Sequence, residues 1–325
     1  MQINFHPGFE EMDALSQSGR PFFFMVDFGM ENILIFQHRD LAAAGILVDF
    51  KNFKHHKDLA ICSSSFDFQA FPERIASYEV GFNLVKNHLY RGNSYLVNYT
   101  RSTLIESSLS LESLFYLAKA PYKVLYKDEF VFFSPETFVE IKDHVIYTHP
   151  MKGTIDASIE NAPEILRNDE KEKAEHYTVV DLLRNDLSMV ADDVTVKEFQ
   201  RIDLIKTQQK NLYAMSSEIS GRVKIPFRGK IGSILRMLLP AGSILGAPKE
   251  KTRQIIRESE GYERGWYTGV CGWFDGKNLD SCVMIRFIEK SNGQLYFKSG
   301  GGITHMSRLE DEYQEMKNKI YVPVY

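Results

Sequence analysis

Residues 266–303 read WYTGVCGWFDGKNLDSCVMIRFIEKSNGQLYFKSGGGI. Three strand-like runs stand here, joined by the short turn signals FDGKN and KSNG. Connections this short imply antiparallel pairing, because a parallel pair needs a long crossover. The beginning of the chain follows the same pattern, with PFFFMVDF and ILIFQH (33–38) flanking the turn GMEN. SYLVNYTRSTLI (94–105), YKVLY, EFVFFS, FVEIKDHVIYTHP and YAMSSEISGRV also read as strands. Helical spacing gathers elsewhere: FNLVKNHLYRG (82–92), SLESLFYLAKA (110–120) behind a capping serine, about 160–183, about 228–239, GAPKEKTRQIIRESE with Pro248 near its first turn, and Leu309 to about Tyr321. Segregated strands and helices argue for an α+β class built on antiparallel sheets, and against a doubly wound parallel sheet.

The chain has 325 residues, 44% hydrophobic and 25% charged, with a net charge of −4. This is globular composition, with no global attraction to nucleic acid or to an anionic membrane. Cys62, Cys271 and Cys282 are too few and too scattered for a disulfide framework or a CxxC metal site. MQINFHPGFEEMD lacks the apolar core of a signal peptide, and no run approaches the ~18 apolar residues of a membrane helix. A cytoplasmic location is the expectation. GxGxxG, HExxH and GxSxG are absent; GSILGAPK (242–249) has the wrong glycine spacing for a phosphate loop.

Four segments carry chemistry. In THPMKGTID (148–156), Lys152 is expected where a strand ends and Gly153-Thr154 turns, as a solvated turn lysine or as a nucleophile. In KSGGGITHMSRLEDEYQEMKNK, Gly300, Gly301 and Gly302 close a strand and offer backbone N–H groups to an anion; Glu312, Glu315 and Lys319 then share one helix face. In EKEKAEHYTVVDLLRNDL, Glu172 and Glu175 are spaced i, i+3, and the four glutamates could converge on Mg²⁺, which takes a few hard oxygens and keeps waters for substrate to replace. Arg286 is expected on one strand face with Cys282, Met284 and Ile288, as a buried ion pair or a carboxylate clamp.

Taken in order, YRGNSYLVNYT, FSPETF, PMKGT, KAEHYTVVDLLRND, GSILGAPKEKTRQIIRESE, RGWYTGVCGW, MIRF, SGGGI and EYQEMKNK resemble the chorismate-utilising enzymes, specifically the branch of aminodeoxychorismate synthase component I. The resemblance implies two large antiparallel β-sheets packed face to face and flanked by helices. It implies a single chorismate-binding domain over 1–325, with 1–89 a shortened N-terminal sheet region and 90–325 the catalytic core. Its implied metal is Mg²⁺, held by Glu175, Glu312 and Glu315 with Glu172 nearby. The implied pocket is Arg286, Lys319, Tyr267, Lys249, Thr154 and the backbone of Gly300, Gly301 and Gly302. Glu136 is the implied general acid. Lys152 is the implied nucleophile, made neutral by burial and neighbouring cations.

Members that add water carry a lysine where this chain has Leu96, and anthranilate-forming members carry a small residue at Lys152. Two positions depart from the family pattern: Ala214 replaces a histidine and Leu245 a threonine. No glutaminase signature is present, so nitrogen is expected from a glutamine amidotransferase partner or from free ammonia. Anthranilate synthase, and a chorismate-binding protein with impaired catalysis, are the alternatives.

Overall fold

The computed structural model describes residues 6–57, 66–205 and 211–324, so Cys62 lies outside the described residues. In chain order the elements are α1 (Pro7–Gln17), β1 (Phe22–Val26), β2 (Ile33–Phe36), β3 (Ile46–Phe50), β4 (Lys54–His55), β5 (Phe68–Phe71), α2 (Ile75–Tyr90), β6 (Leu96–Ser107), α3 (Leu111–Leu117), β7 (Tyr122–Tyr126), β8 (Phe130–Ser134), β9 (Thr137–Lys142), β10 (Val145–Thr148), β11 (Met151–Asp156), α4 (Ala162–Asn168), α5 (Glu170–Val190), β12 (Ala191–Ile205), β13 (Leu212–Val223), α6 (Ile231–Leu238), α7 (Gly242–Leu245), β14 (Gly246–Ala247), α8 (Lys249–Glu260), β15 (Val270–Phe274), β16 (Leu279–Val283), β17 (Phe287–Ser291), β18 (Gln294–Ile303) and α9 (Leu309–Asn318). Among them no helix is long and apolar enough to cross a membrane.

The strands form two antiparallel sheets. The first runs β11-β13-β10-β9-β16-β15-β1-β2, with β12 also on β13; the second runs β14-β6-β18-β17-β8-β7-β3-β4, with β5 also on β6. The two-residue period of a strand explains how they pack. In β1, Phe23 and Met25 join Cys271 and Cys282 of the first sheet and Val48, Phe50, Val124, Phe132 and Phe287 of the second in one apolar cluster. That cluster is the face-to-face layer. Phe22, Phe24 and Val26 point the other way, into a cluster with Met12 of α1 and Leu235 and Leu238 of α6. The second sheet's outer face is covered by α3 through Leu111, Leu114 and Phe115. Strand β1 is therefore buried on both faces, and each fully buried phenylalanine contributes about 2–3 kcal/mol.

Two chain segments cross side by side from one sheet to the other. Ser134 ends β8 in the second sheet and Thr137 begins β9 in the first; Val283 ends β16 in the first and Phe287 begins β17 in the second. The crossings are bonded to each other, Phe133 N–H to the Arg286 carbonyl at 3.2 Å and Val283 N–H to the Glu136 carbonyl at 3.1 Å.

This corrects the sequence expectation for Arg286. LDSCVMIRFIEK is not one strand, and Cys282, Met284, Arg286 and Ile288 do not share a face. The chain leaves the ladder at Met284 to change sheets, and Arg286 takes a left-handed φ of +53°. Lys152 is corrected as well. The strand does not end there: β11 runs on to Asp156, and Gly153, at φ +74°, sits at a register shift between Lys152 and Thr154. The extra residue is absorbed as a bulge, which glycine accommodates because it has no Cβ. Helix α1, capped by the His6 side chain and started by Pro7, stands in the first segment, where the sequence reading assigned no element.

Candidate functional site

The sheet crossings carry the first group. Glu136 lies on one crossing and is half-buried, with its Oε1 accepting from Ser243 Oγ at 2.6 Å. Arg286 lies on the other, with its guanidinium 5.1 Å from the Tyr321 ring centroid and its buried Nε without a hydrogen-bond partner. Tyr267, 4% exposed, stands beside them. Burial pushes its phenol well up, and the Arg286 and Glu136 charges are among the smaller influences on it. Tyr267 therefore stays protonated, a donor near an acid and a guanidinium.

The second group lies on β18 and α9. Beyond Lys298, β18 has left β17 and keeps only β6 beside it, so the edge of Gly300, Gly301 and Gly302 away from β6 is clear of β17. Helix α9 lies against this stretch, with Ser299 Oγ donating to the Met316 carbonyl at 2.9 Å. A Cβ on Gly301 would stand 3.1 Å from Glu315 Oε1 and 3.4 Å from Glu312 Oε2. Glu312 is 2% exposed. Lys319 donates to the Gly300 carbonyl at 2.8 Å and to Glu315 Oε1 at 2.6 Å, so its ammonium is tied to the glycine strand.

The third group is on β11 and α5. Lys152 is half-buried and pairs in register with Met215, while Thr154 pairs through its backbone with Ala214; the Thr154 side chain lies outside what is described. Glu172 reaches Gly153: a Cβ there would stand 2.8 Å from Glu172 Oε2. The Asp169 side chain caps α5 by accepting from Glu172 N–H at 2.9 Å, which sets the first turn that presents Glu172 and Glu175. Glu175 lines a cavity of about 290 Å³ with Ser94, Tyr95, Thr178, Thr304 and Met306. Lys249 is held by Asp186 at 2.9 Å and by the Leu238 carbonyl at 2.6 Å.

Leu96, Ala214 and Leu245 are all buried, at 2%, 0% and 0% exposure. The Leu96 position thus carries no group that could activate water. Cys271 and Cys282 face each other across β15 and β16, both fully buried, as small core residues.

Among the described residues no three His, Cys, Asp or Glu side chains gather closely enough to hold one ion. Glu312 and Glu315 nevertheless fit Mg²⁺, which takes one or two carboxylates and completes its shell with water and substrate oxygens. The other two glutamates are on α5, Glu175 at the cavity and Glu172 at Gly153.

Two neighbours of the site escaped the sequence reading. One is Ser243, in GSILGAPK, which reads as a failed phosphate loop and as part of a family motif, neither of which singles out the serine. The other is His176, fully buried, whose Nε2 lies 2.7 Å from Ser217 Oγ. Burial pushes its pKa down to about 4, and the charge of Lys152 adds to the shift. A histidine beside Glu175 on an amphipathic helix was the available signal.

The profile of the chorismate binding enzyme family matches residues 39–324, beginning well upstream of the motifs. An uncharacterized PabA-like protein of Haemophilus influenzae is 48% identical over 315 residues, 97% of this chain and 96% of that protein. Aminodeoxychorismate synthase component 1 of Escherichia coli is 30% identical over 310 residues, 91% of this chain and 66% of that protein. The structure of anthranilate synthase component I from Streptococcus pneumoniae aligns with a TM-score of 0.66 at 24% identity, covering 91% of this chain and 70% of that one, and shares the fold.

Proposed function

The chain belongs to the chorismate-binding enzyme family, and we propose that within it this protein aminates chorismate at C4 to give 4-amino-4-deoxychorismate, through a covalent adduct on Lys152. The observation that carries the reading is where Lys152 and Glu136 sit. The β9–β10 hairpin pairs Tyr147 with Glu140, and its open end carries Glu136 on one arm and leads into Lys152 on the other.

The chemistry closes without an oxidant. Lys152 reacts in its deprotonated form: its amine bonds to C2 and the adduct sheds a proton. The ring double bonds shift and the C4–O bond breaks, with hydroxide leaving as water on a proton from Glu136. Ammonia then bonds to C4 and loses a proton, while the C2–N bond breaks and Lys152 departs reprotonated. Chorismate plus ammonia gives aminodeoxychorismate plus water. A desolvated amine positioned for attack is the nucleophile this requires.

Arg286 and Tyr267 orient the substrate, the guanidinium for a carboxylate and the phenol as a donor. The open edge at Gly300, Gly301 and Gly302 adds backbone donors, Lys319 steadies that strand, and Lys249 and Thr154 border the pocket. Glu312 and Glu315 would hold Mg²⁺, which would supply positive charge for the substrate's carboxylates, while Glu175 and Glu172 stand apart on α5. The apolar Leu96 argues against water addition at C2. Ammonia comes from a glutamine amidotransferase partner, in para-aminobenzoate and folate precursor synthesis.

Intact-protein mass spectrometry after mixing with chorismate and Mg²⁺, without ammonia, tests this reading. A covalent adduct localised to Lys152 is expected, and Lys152→Ala and Lys152→Arg should both abolish amination while chorismate still binds. Near wild-type amination by Lys152→Ala would sink the proposal. Two buried apolar residues, Ala214 and Leu245, favour a second reading, a chorismate-binding protein with impaired catalysis. Binding without turnover would select it.

A further inference from the structure

Glu136 is held by a hydroxyl whose own position is determined on several sides. Ser243, the donor to Oε1, sits on the single turn α7. At the start of that turn Gly242 packs directly on α5, where a Cβ would stand 2.8 Å from Asp186 Oδ2 and 3.0 Å from Leu182 Cγ. At its end Gly246, with φ +118°, runs against β6, where a Cβ would come within 1.8 Å of the Leu96 carbonyl oxygen. In between, the Ile244 carbonyl accepts from Arg264 Nη1 at 3.1 Å.

Arg264 is itself 2% exposed. Its other donors go to both carboxylate oxygens of Glu260, at 2.9 and 2.6 Å, to Thr268 Oγ1 at 3.2 Å and to the Asn98 carbonyl at 2.6 Å. A planar guanidinium with all its donors engaged fixes its acceptors relative to one another. Here these are α7, β6, the end of α8 at Glu260, and the loop that carries Tyr267.

The hydrogen-bond sense has a consequence for Glu136. A carboxyl oxygen that accepts from Ser243 is the acceptor oxygen, so an acidic proton belongs on the other one. We propose that Ser243 is a positioning residue for Glu136, committing Oε1 to α7 and leaving Oε2 to face the leaving C4 oxygen, with Arg264 bracing the turn from behind. This rests on the reading of Glu136 as the general acid. An acid held within a few tenths of an ångström of its target keeps the gain of about 10²–10⁴ that general acid catalysis supplies, and a swinging one loses part of it.

The test is a double-mutant cycle in the full chain, with chorismate, Mg²⁺ and ammonium. Ser243→Ala should lower kcat about 10- to 100-fold and leave KM within about threefold. Ser243→Thr, which keeps the hydroxyl, should recover most of the rate. In a Glu136→Gln background, Ser243→Ala should add no further loss, because the acid it orients is gone. A structural role would instead subtract from both backgrounds alike, so losses that multiply overturn the proposal. So does a Ser243→Ala enzyme with normal kcat beside an impaired Glu136→Gln enzyme; that result leaves the reading of Glu136 standing. A Glu136→Gln enzyme as active as wild type overturns both.

Discussion

Alanine at two adjacent glycines, Gly300 and Gly301, should do two different kinds of damage. A Cβ on Gly300 would lie 2.2 Å from the Tyr99 carbonyl oxygen and 2.6 Å from Thr100 Cα. Both atoms are backbone of β6, which pairs with β18 through Gly300↔Thr100 and Gly301↔Tyr99. Real contacts of this kind need about 3.2 Å, so the ladder must open by about 1 Å, a strain of about 3 kcal/mol. For 325 residues at about 2.1 cal/mol/K each, that lowers the melting temperature by about 4 °C.

A Cβ on Gly301 meets only the tips of two flexible side chains, Glu315 Oε1 at 3.1 Å and Glu312 Oε2 at 3.4 Å. They can yield by a few tenths of an ångström, so Gly301→Ala should melt within about 1 °C of wild type. Those tips are the proposed Mg²⁺ ligands, however, and metal sites tolerate only about ±0.2 Å. Gly301→Ala should therefore raise the Mg²⁺ concentration needed for half-maximal turnover about tenfold, or about 1.4 kcal/mol. Melts followed by circular dichroism and Mg²⁺ titrations of chorismate turnover read the two effects separately. Equal melting temperatures for the two variants, or unchanged Mg²⁺ dependence in Gly301→Ala, would refute the reasoning.

Chorismate should yield neither isochorismate nor salicylate, because Leu96 offers no base for water; either product above a heat-killed control on chromatography contradicts this. Free ammonium should support amination and glutamine alone should not, since none of the three cysteines sits in a glutaminase-like nucleophile context, and Cys271 and Cys282 are buried in the sheet core; glutamine-dependent turnover by the isolated chain would show that the partner is unnecessary. His176 supplies a pH test of stability. Its folded pKa, about 4, lies below the ordinary 6.5, so the unfolded chain binds the proton more readily. The resulting stability is complete above about pH 6.5 and is lost as pH falls toward 4, an amount on the order of 3 kcal/mol. The melting temperature should fall on acidification from pH 7 to 5, and less steeply in His176→Gln; equal slopes would exclude His176 as the cause.

Strand and helix periodicity, with turn chemistry, was enough to read an antiparallel α+β protein from the chain, because these are local properties written in consecutive residues. FDGKN became the β15–β16 turn and KSNG the β17–β18 turn, as their composition requires. Ordered motifs likewise identified the family, since their spacing survives whatever the chain does between them. Other features exist only when distant segments meet. Alternation through CVMIRFIE looks the same whether the strand continues or changes sheets; β16 and β17 each found partners in a different sheet, and that choice put Arg286 beside Glu136. Ser243 lies 107 positions from the carboxylate it bonds, and no local pattern marks a hydroxyl as another residue's hydrogen-bond donor. Gly153 read as a turn because glycine before threonine often is one; pairing with β13 made it a bulge instead, since only the partner strand determines whether an extra residue folds back or is absorbed.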